Sequence, residues 1–122
     1  MSGYHEAYAS FSLEDFACDV LQTPLDGELN GYVACCARWA DSDRMALRWM
    51  GAHGQTRNVT YREFDTESAR FANVLKARGI GPGDVVAGML PRIPELLVAV
   101  LGTWRIGAVY QPLFTAFGPA AA

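Results

Sequence analysis

The sequence predicts an α/β fold in which an N-terminal helix and a β-hairpin precede a second helix and a parallel β-α-β crossover, part of a larger, incomplete sheet. Three observations carry this. "VVAGML", residues 85 to 90, is an almost unbroken apolar run of the kind buried on both faces of a parallel sheet. "PELLVAVLGTWRI" follows it at helical length, and "AVYQPL" supplies a second short apolar run after Gly107. A strand, a helix and a strand in that order form a parallel crossover in nearly every known case.

Residues 1 to 27 are of mixed polarity and end in "TPLDG", a turn signal, so they read as a loosely ordered lead-in. "LNGYVACCARWA" then places Leu29, Tyr32, Val33 and Cys36, and with them Trp39 and Ala40, on one face at spacings of three and four, which predicts an amphipathic helix. "MALRWM" and "TRNVTY" alternate in part and are separated by the glycine-containing "GAHGQ", which predicts a hairpin with His53 exposed in its loop. "TYREFDTESARFANVLKARG" opens with Thr60 three residues before Glu63, the capping-box spacing. Phe64, Ser68, Phe71, Ala72 and Leu75 form its buried stripe, and Arg62, Glu67, Arg70 and Lys76 its wet face. Gly79 is the expected helix stop. Pro91 and Pro94 bracket the break before the last helix, in which Glu95 lies in the first turn and Arg105 in the last, each complementing the helix dipole.

Composition narrows the function classes. The 122 residues suit one core, with 51% hydrophobic and 19% charged residues, the balance of a globular chain. A net charge of -3 and the lack of any basic stripe among ten Lys and Arg argue against nucleic acid as a partner. Trp39, Trp49 and Trp104 sit at amphipathic or apolar positions and read as packing residues rather than a base-stacking platform. "MSGYHEAYASFSLEDF" has neither the basic start nor the apolar centre of a secretory signal, and the longest apolar run, Leu96 to Leu101, is far short of the ~20 residues that span a bilayer. A cytoplasmic chain without a membrane span is expected. Cys18, Cys35 and Cys36 match neither a disulfide framework nor a zinc spacing, so no metal site is expected.

Two glycine patterns imitate phosphate loops. In "GIGPGD" the glycines lie between a helix and a strand, whereas a dinucleotide fingerprint needs them between a strand and a helix. In "GTWRIGA" Gly102 and Gly107 have the Walker spacing, but Ala108 stands where the lysine is required. Ligands of open α/β sheets sit beyond the carboxyl ends of the strands, which directs attention to "PRIP" after the first strand and "FTAFG" after the second. Arg92 is there a candidate for a carboxylate or phosphate, set against a plainer role as a helix-start arginine paired with Glu95 or solvent.

The order and wording of these elements are also those of a known family. "TYREF" at a helix start, "GIGPGDVVA" turning into a strand, "LPRIPE" at the next helix and "RIGAVYQPL" at the strand after it closely resemble the N-terminal region of the adenylate-forming superfamily, the AMP-dependent acyl-CoA synthetases and ligases. The resemblance covers residues 45 to about 118, and the ending "VYQPLFTAFGP" looks most like the acetyl-CoA synthetase and short- or medium-chain branch. It implies that residues 28–122 are an incomplete N-terminal portion of an AMP-binding domain. It further implies an enzyme that activates a carboxylic acid with ATP and magnesium through an acyl-adenylate and passes the acyl group to coenzyme A.

By the same resemblance Phe114, Thr115, Ala116, Phe117 and Gly118 align with a loop near the acyl and coenzyme A tunnel, although Thr115 and Ala116 replace the usual glycine pair. The family's glycine-, serine- and threonine-rich phosphate loop, its adenine- and ribose-binding segments and its C-terminal catalytic lysine have no counterpart in the 122 residues. The expectation is a chain that binds no cofactor and catalyses nothing alone, with the rest of the enzyme as its natural partner. Apolar surface on "LLVAVL" and "AVYQPLF" predicts self-association. The competing reading is a stand-alone, non-catalytic α/β module that serves interaction or regulation.

Overall fold

The computed structural model describes residues 3–24 and 26–115. In chain order the elements are α1 (Tyr4–Ser10), α2 (Leu13–Leu21), α3 (Gly31–Cys35), a 3-10 turn (Ala37–Trp39), β1 (Met45–Met50), β2 (Thr56–Thr60), α4 (Tyr61–Ala77), β3 (Val85–Gly88), α5 (Pro94–Arg105) and β4 (Val109–Pro112). β1 and β2 form an antiparallel hairpin, and β3 and β4 a separate parallel pair joined through α5. The α/β class, the hairpin and the parallel crossover therefore stand as the sequence predicts. Among the described residues no helix is long and apolar enough to cross a membrane.

The lead-in holds two short helices, α1 and α2, which the sequence reading did not foresee, although α1 buries no residue and α2 only Ala17. The Ser12 hydroxyl accepts from the Asp15 amide at 3.2 Å and caps the start of α2. At the other end of α2, the Arg38 guanidinium donates to the Val20 carbonyl, tying the helix to the 3-10 turn. The next helix is also shorter than its periodicity predicts. Asn30 starts it, with its side-chain oxygen accepting from the Tyr32 amide at 2.9 Å, so Leu29 stays outside. Tyr32 and Cys36 are buried, whereas Leu29 and Val33 are exposed.

The capping box of α4 is complete. The Glu63 amide donates to Thr60 Oγ1 at 3.2 Å, and the Thr60 amide donates to Glu63 Oε2 at 2.7 Å. These bonds hold the Glu63 carboxyl below its usual range. Phe64, Ser68, Ala72 and Leu75 are buried along the helix, and Phe71 is half-buried. Burying Phe64 contributes roughly 1.5–3 kcal/mol by area. Gly79 takes φ +81° just past the helix, a conformation that L side chains rarely adopt.

α4 packs on α5 by close approach at Gly102, where an added Cβ would stand 2.8 Å from Phe71 Cδ1 and 2.9 Å from the Ser68 carbonyl. Tyr32, Cys36, Val59, Phe64 and Leu101 form one core cluster. Ala72, Leu75, Ile106 and Ala108 form a second under the parallel pair. β3 is shorter than the predicted strand and is not buried on both faces: Val86 lies against the second cluster, while Val85 and Val109, its register partner, are exposed. With one helical layer and two strands, only one face of this pair is covered.

Candidate functional site

Because β3 and β4 run parallel, their carboxyl ends emerge on the same rim. A cavity of about 340 Å³ opens there, lined by Gly88, Leu90, Arg92, Leu96, Pro112, Leu113, Phe114 and Thr115. The structure thus brings Arg92, Phe114 and Thr115 around one opening; Ala116, Phe117 and Gly118 lie outside the described residues. The pairing passes beyond the strands, since the Leu113 amide donates to the Gly88 carbonyl at 2.9 Å and holds the two rim segments side by side.

The "PRIP" segment has little backbone bonding of its own. Its two prolines have no N–H, and the Ile93 amide turns back to the Pro91 carbonyl at 2.8 Å. The hairpin supplies the rest. The Trp49 indole N–H of β1 donates to the Arg92 carbonyl at 2.7 Å, and Arg57 of β2 pairs with Glu95 at 2.9 Å. Of the plainer reading of Arg92, paired with Glu95 or solvent, the first half is corrected, because Glu95 pairs with Arg57, while Arg92 itself is exposed. Periodicity placed Trp49 at an apolar position but offered no signal for either link, since both join residues about forty positions apart.

Two other regions bear on chemistry. An apolar cavity of about 310 Å³ lies between α3, α4 and α5, with Cys35, Cys36, Tyr61 and Trp104 among its lining. Burial, followed by the nearby Asp65 charge, pushes the Cys36 thiol up to about 11, so it is no nucleophile at neutral pH. Asp65 accepts a short hydrogen bond from the Tyr32 hydroxyl and a 2.7 Å contact from Arg105. Burial pushes the Asp65 carboxyl up, but these two donors outweigh it and hold it below the usual range. This trio links α3, α4 and α5.

The glycine patterns are occupied by their own fold. The Gly81 amide donates to Asp84 Oδ2 at 2.8 Å and the Gly83 amide to the Gly107 carbonyl at 3.0 Å, so neither amide points at a vacant anion site. Among the described residues no group of three His, Cys, Asp or Glu could hold a metal ion.

The parallel crossover thus places an apolar rim, one cation and a hydroxyl beyond its strand ends. Residues 36–122 match the AMP-binding enzyme family, and the chain belongs to it. It is similar to acetyl-coenzyme A synthetase of Sodalis glossinidius, with 46% identity over 79% of this chain and 15% of that enzyme, and to that of Parvibaculum lavamentivorans, with 44% identity over 77% and 15%. Among solved structures it is similar to the acyl-CoA synthetase of Brucella canis, with TM-score 0.89, 44% identity and 99% of this chain on 22% of that one. It is also similar to acetoacetyl-CoA synthetase from Streptomyces lividans, with TM-score 0.67, 36% identity and 74% of this chain on 14% of that one. The chain spans about 15% of the length of the curated relatives it matches.

Proposed function

We propose that the chain is the opening part of a cytoplasmic acyl-CoA synthetase that activates a carboxylic acid with ATP through an acyl-adenylate and transfers the acyl group to coenzyme A. The observation that supports this most is the likeness of 99% of the chain to the Brucella canis acyl-CoA synthetase at TM-score 0.89.

The donor set present does not fit magnesium and a triphosphate. One guanidinium and one hydroxyl at the rim, with no carboxylate cluster among the described residues, fall short of the several donors that neutralise transferring phosphoryl oxygens. The chain's own contribution is a scaffold and one edge of a site, in which Arg92 meets an anionic oxygen and Phe114 and Thr115 line the opening toward the acyl and coenzyme A side. The remainder of the enzyme is its partner, and the uncovered face at Val85 and Val109 makes the isolated chain self-associate.

ATP–pyrophosphate exchange tests this reading in two arms. The 122-residue chain alone is expected to show none with any short-chain acid. The same chain substituted for its matching segment in the Brucella canis synthetase is expected to retain exchange within about a hundredfold of the parent, the loss that a misplacement of about 1 Å causes. Exchange by the isolated chain overturns its predicted inactivity. A folded but inert hybrid counts against the synthetase reading.

A further inference from the structure

We infer that the hairpin is a positioning device for the rim, with Trp49 fixing the direction of Arg92 through its backbone so that the guanidinium meets an anionic oxygen. This rests on the synthetase reading and adds a role for residues that lie outside the rim.

The segment between Pro91 and Pro94 bridges a strand and a helix with few internal bonds. Its geometry is taken from the other sheet. The Trp49 indole N–H holds the Arg92 carbonyl at 2.7 Å, which fixes the peptide plane that follows Arg92 and so restrains the position of the Cα from which its side chain leaves. Arg57 holds Glu95 at 2.9 Å, at the first turn of α5. The two links come from neighbouring strands, because Trp49 and Arg57 are register partners in the hairpin. They bracket the segment on either side of Ile93. The second link has another effect: it engages one oxygen of the carboxylate nearest in sequence to Arg92, and among the described residues Arg92 makes no ion pair, so its guanidinium fork is open to a carboxylate or phosphate oxygen of a ligand.

The test uses the whole chain carried in the Brucella canis synthetase, with KM for the acid, KM for coenzyme A and kcat measured for Trp49→Phe, Arg92→Gln and the double variant. Arg92→Gln is expected to raise one of the two KM values by about tenfold or more, and which one it raises distinguishes a carboxylate from a coenzyme A phosphate. Trp49→Phe keeps an aromatic ring, smaller than the indole, and loses the N–H; it is expected to raise the same KM by about tenfold with kcat within about twofold. In the double variant that KM rises no further than in Arg92→Gln alone, since both changes act through one group.

If Arg92→Gln leaves both KM values unchanged, the rim reading fails and this inference with it. If Arg92→Gln acts but Trp49→Phe does not, or acts equally on the Gln background, the positioning role alone is overturned. Should Trp49→Phe fail to fold, Arg57→Gln at the exposed second link is expected to shift the same KM by about threefold, and no shift overturns the role.

Discussion

The guanidinium carbon of Arg105 stands 4.3 Å from the ring centre of Tyr32, and both side chains converge on the carboxylate of Asp65. Three helices are joined at this point by a carboxylate, a phenol and a stacked cation. Asp65→Asn weakens both partners at once and is expected to lower stability by about 2 kcal/mol, the range of hydrogen bonds to charged groups. Urea denaturation at pH 7 measures it, and a change under about 0.5 kcal/mol, the ordinary surface value, counts against the trio.

Acid should act through the same carboxylate. Its folded-state pKa is depressed, so the unfolded chain binds the proton first; the stability it adds is present above the ordinary Asp pKa of about 3.9 and is lost as pH falls through the lower folded value. Denaturation midpoints between pH 5 and pH 2, compared for the parent and Asp65→Asn, should show a shallower acid slope in the variant.

Alkali is expected to act through Cys36 and Tyr32. Burial raises the thiol to about 11 and, with the hydrogen bond to Asp65, the phenol to about 12, so the unfolded chain deprotonates first in both cases. Their stabilisation is present below the ordinary values and is lost as pH rises from about 9 for the thiol and about 10 for the phenol. Thiol reagent at pH 8 should reach the exposed Cys18 and Cys35 in the native chain and Cys36 only after denaturant is added. Equal rates for all three would contradict the burial of Cys36.

At the start of α4, Thr60→Ala removes the acceptor of the Glu63 amide and is expected to destabilise by about 1 kcal/mol, while Thr60→Ser keeps the oxygen and changes little. Thermal melts of the two variants side by side separate loss of the cap from loss of a methyl group.

Gly102→Ala probes the α4–α5 contact. A methyl group there meets the Ser68 carbonyl at 2.9 Å, and because backbone cannot swing aside the helices must separate. A loss of roughly 1–3 kcal/mol is expected, the range for overpacking a tight core. A neutral outcome in chemical denaturation means that the helices are not in close contact.

The sequence made legible whatever depended on local chemistry. The capping box at Thr60 and Glu63, the stripe from Phe64 to Leu75 and the stop at Gly79 need only a few neighbours, and all are present. Partner-dependent features were missed. α2 is tied down by Arg38, and α3 begins after Leu29 because the Asn30 side chain accepts from the amides that follow while its NH2 donates to the Trp104 carbonyl at 3.0 Å. The run at Val85 looked buried on both faces because hydrophobicity records what a strand tolerates, not how many layers this chain supplies. At the rim, strand order located the opening, but only the fold shows that Trp49 and Arg57 reach it.

The separation of the two small sheets has a consequence for the order of folding. β1 meets β2 across a five-residue turn, and β3 meets β4 across a single helix, so each sheet closes from sequence neighbours at a small loop entropy. The bond from Trp49 to Arg92 spans 43 positions, so the loop it closes costs more entropy than the pairing within the hairpin, and the bond forms together with the core that the hairpin shares with α5.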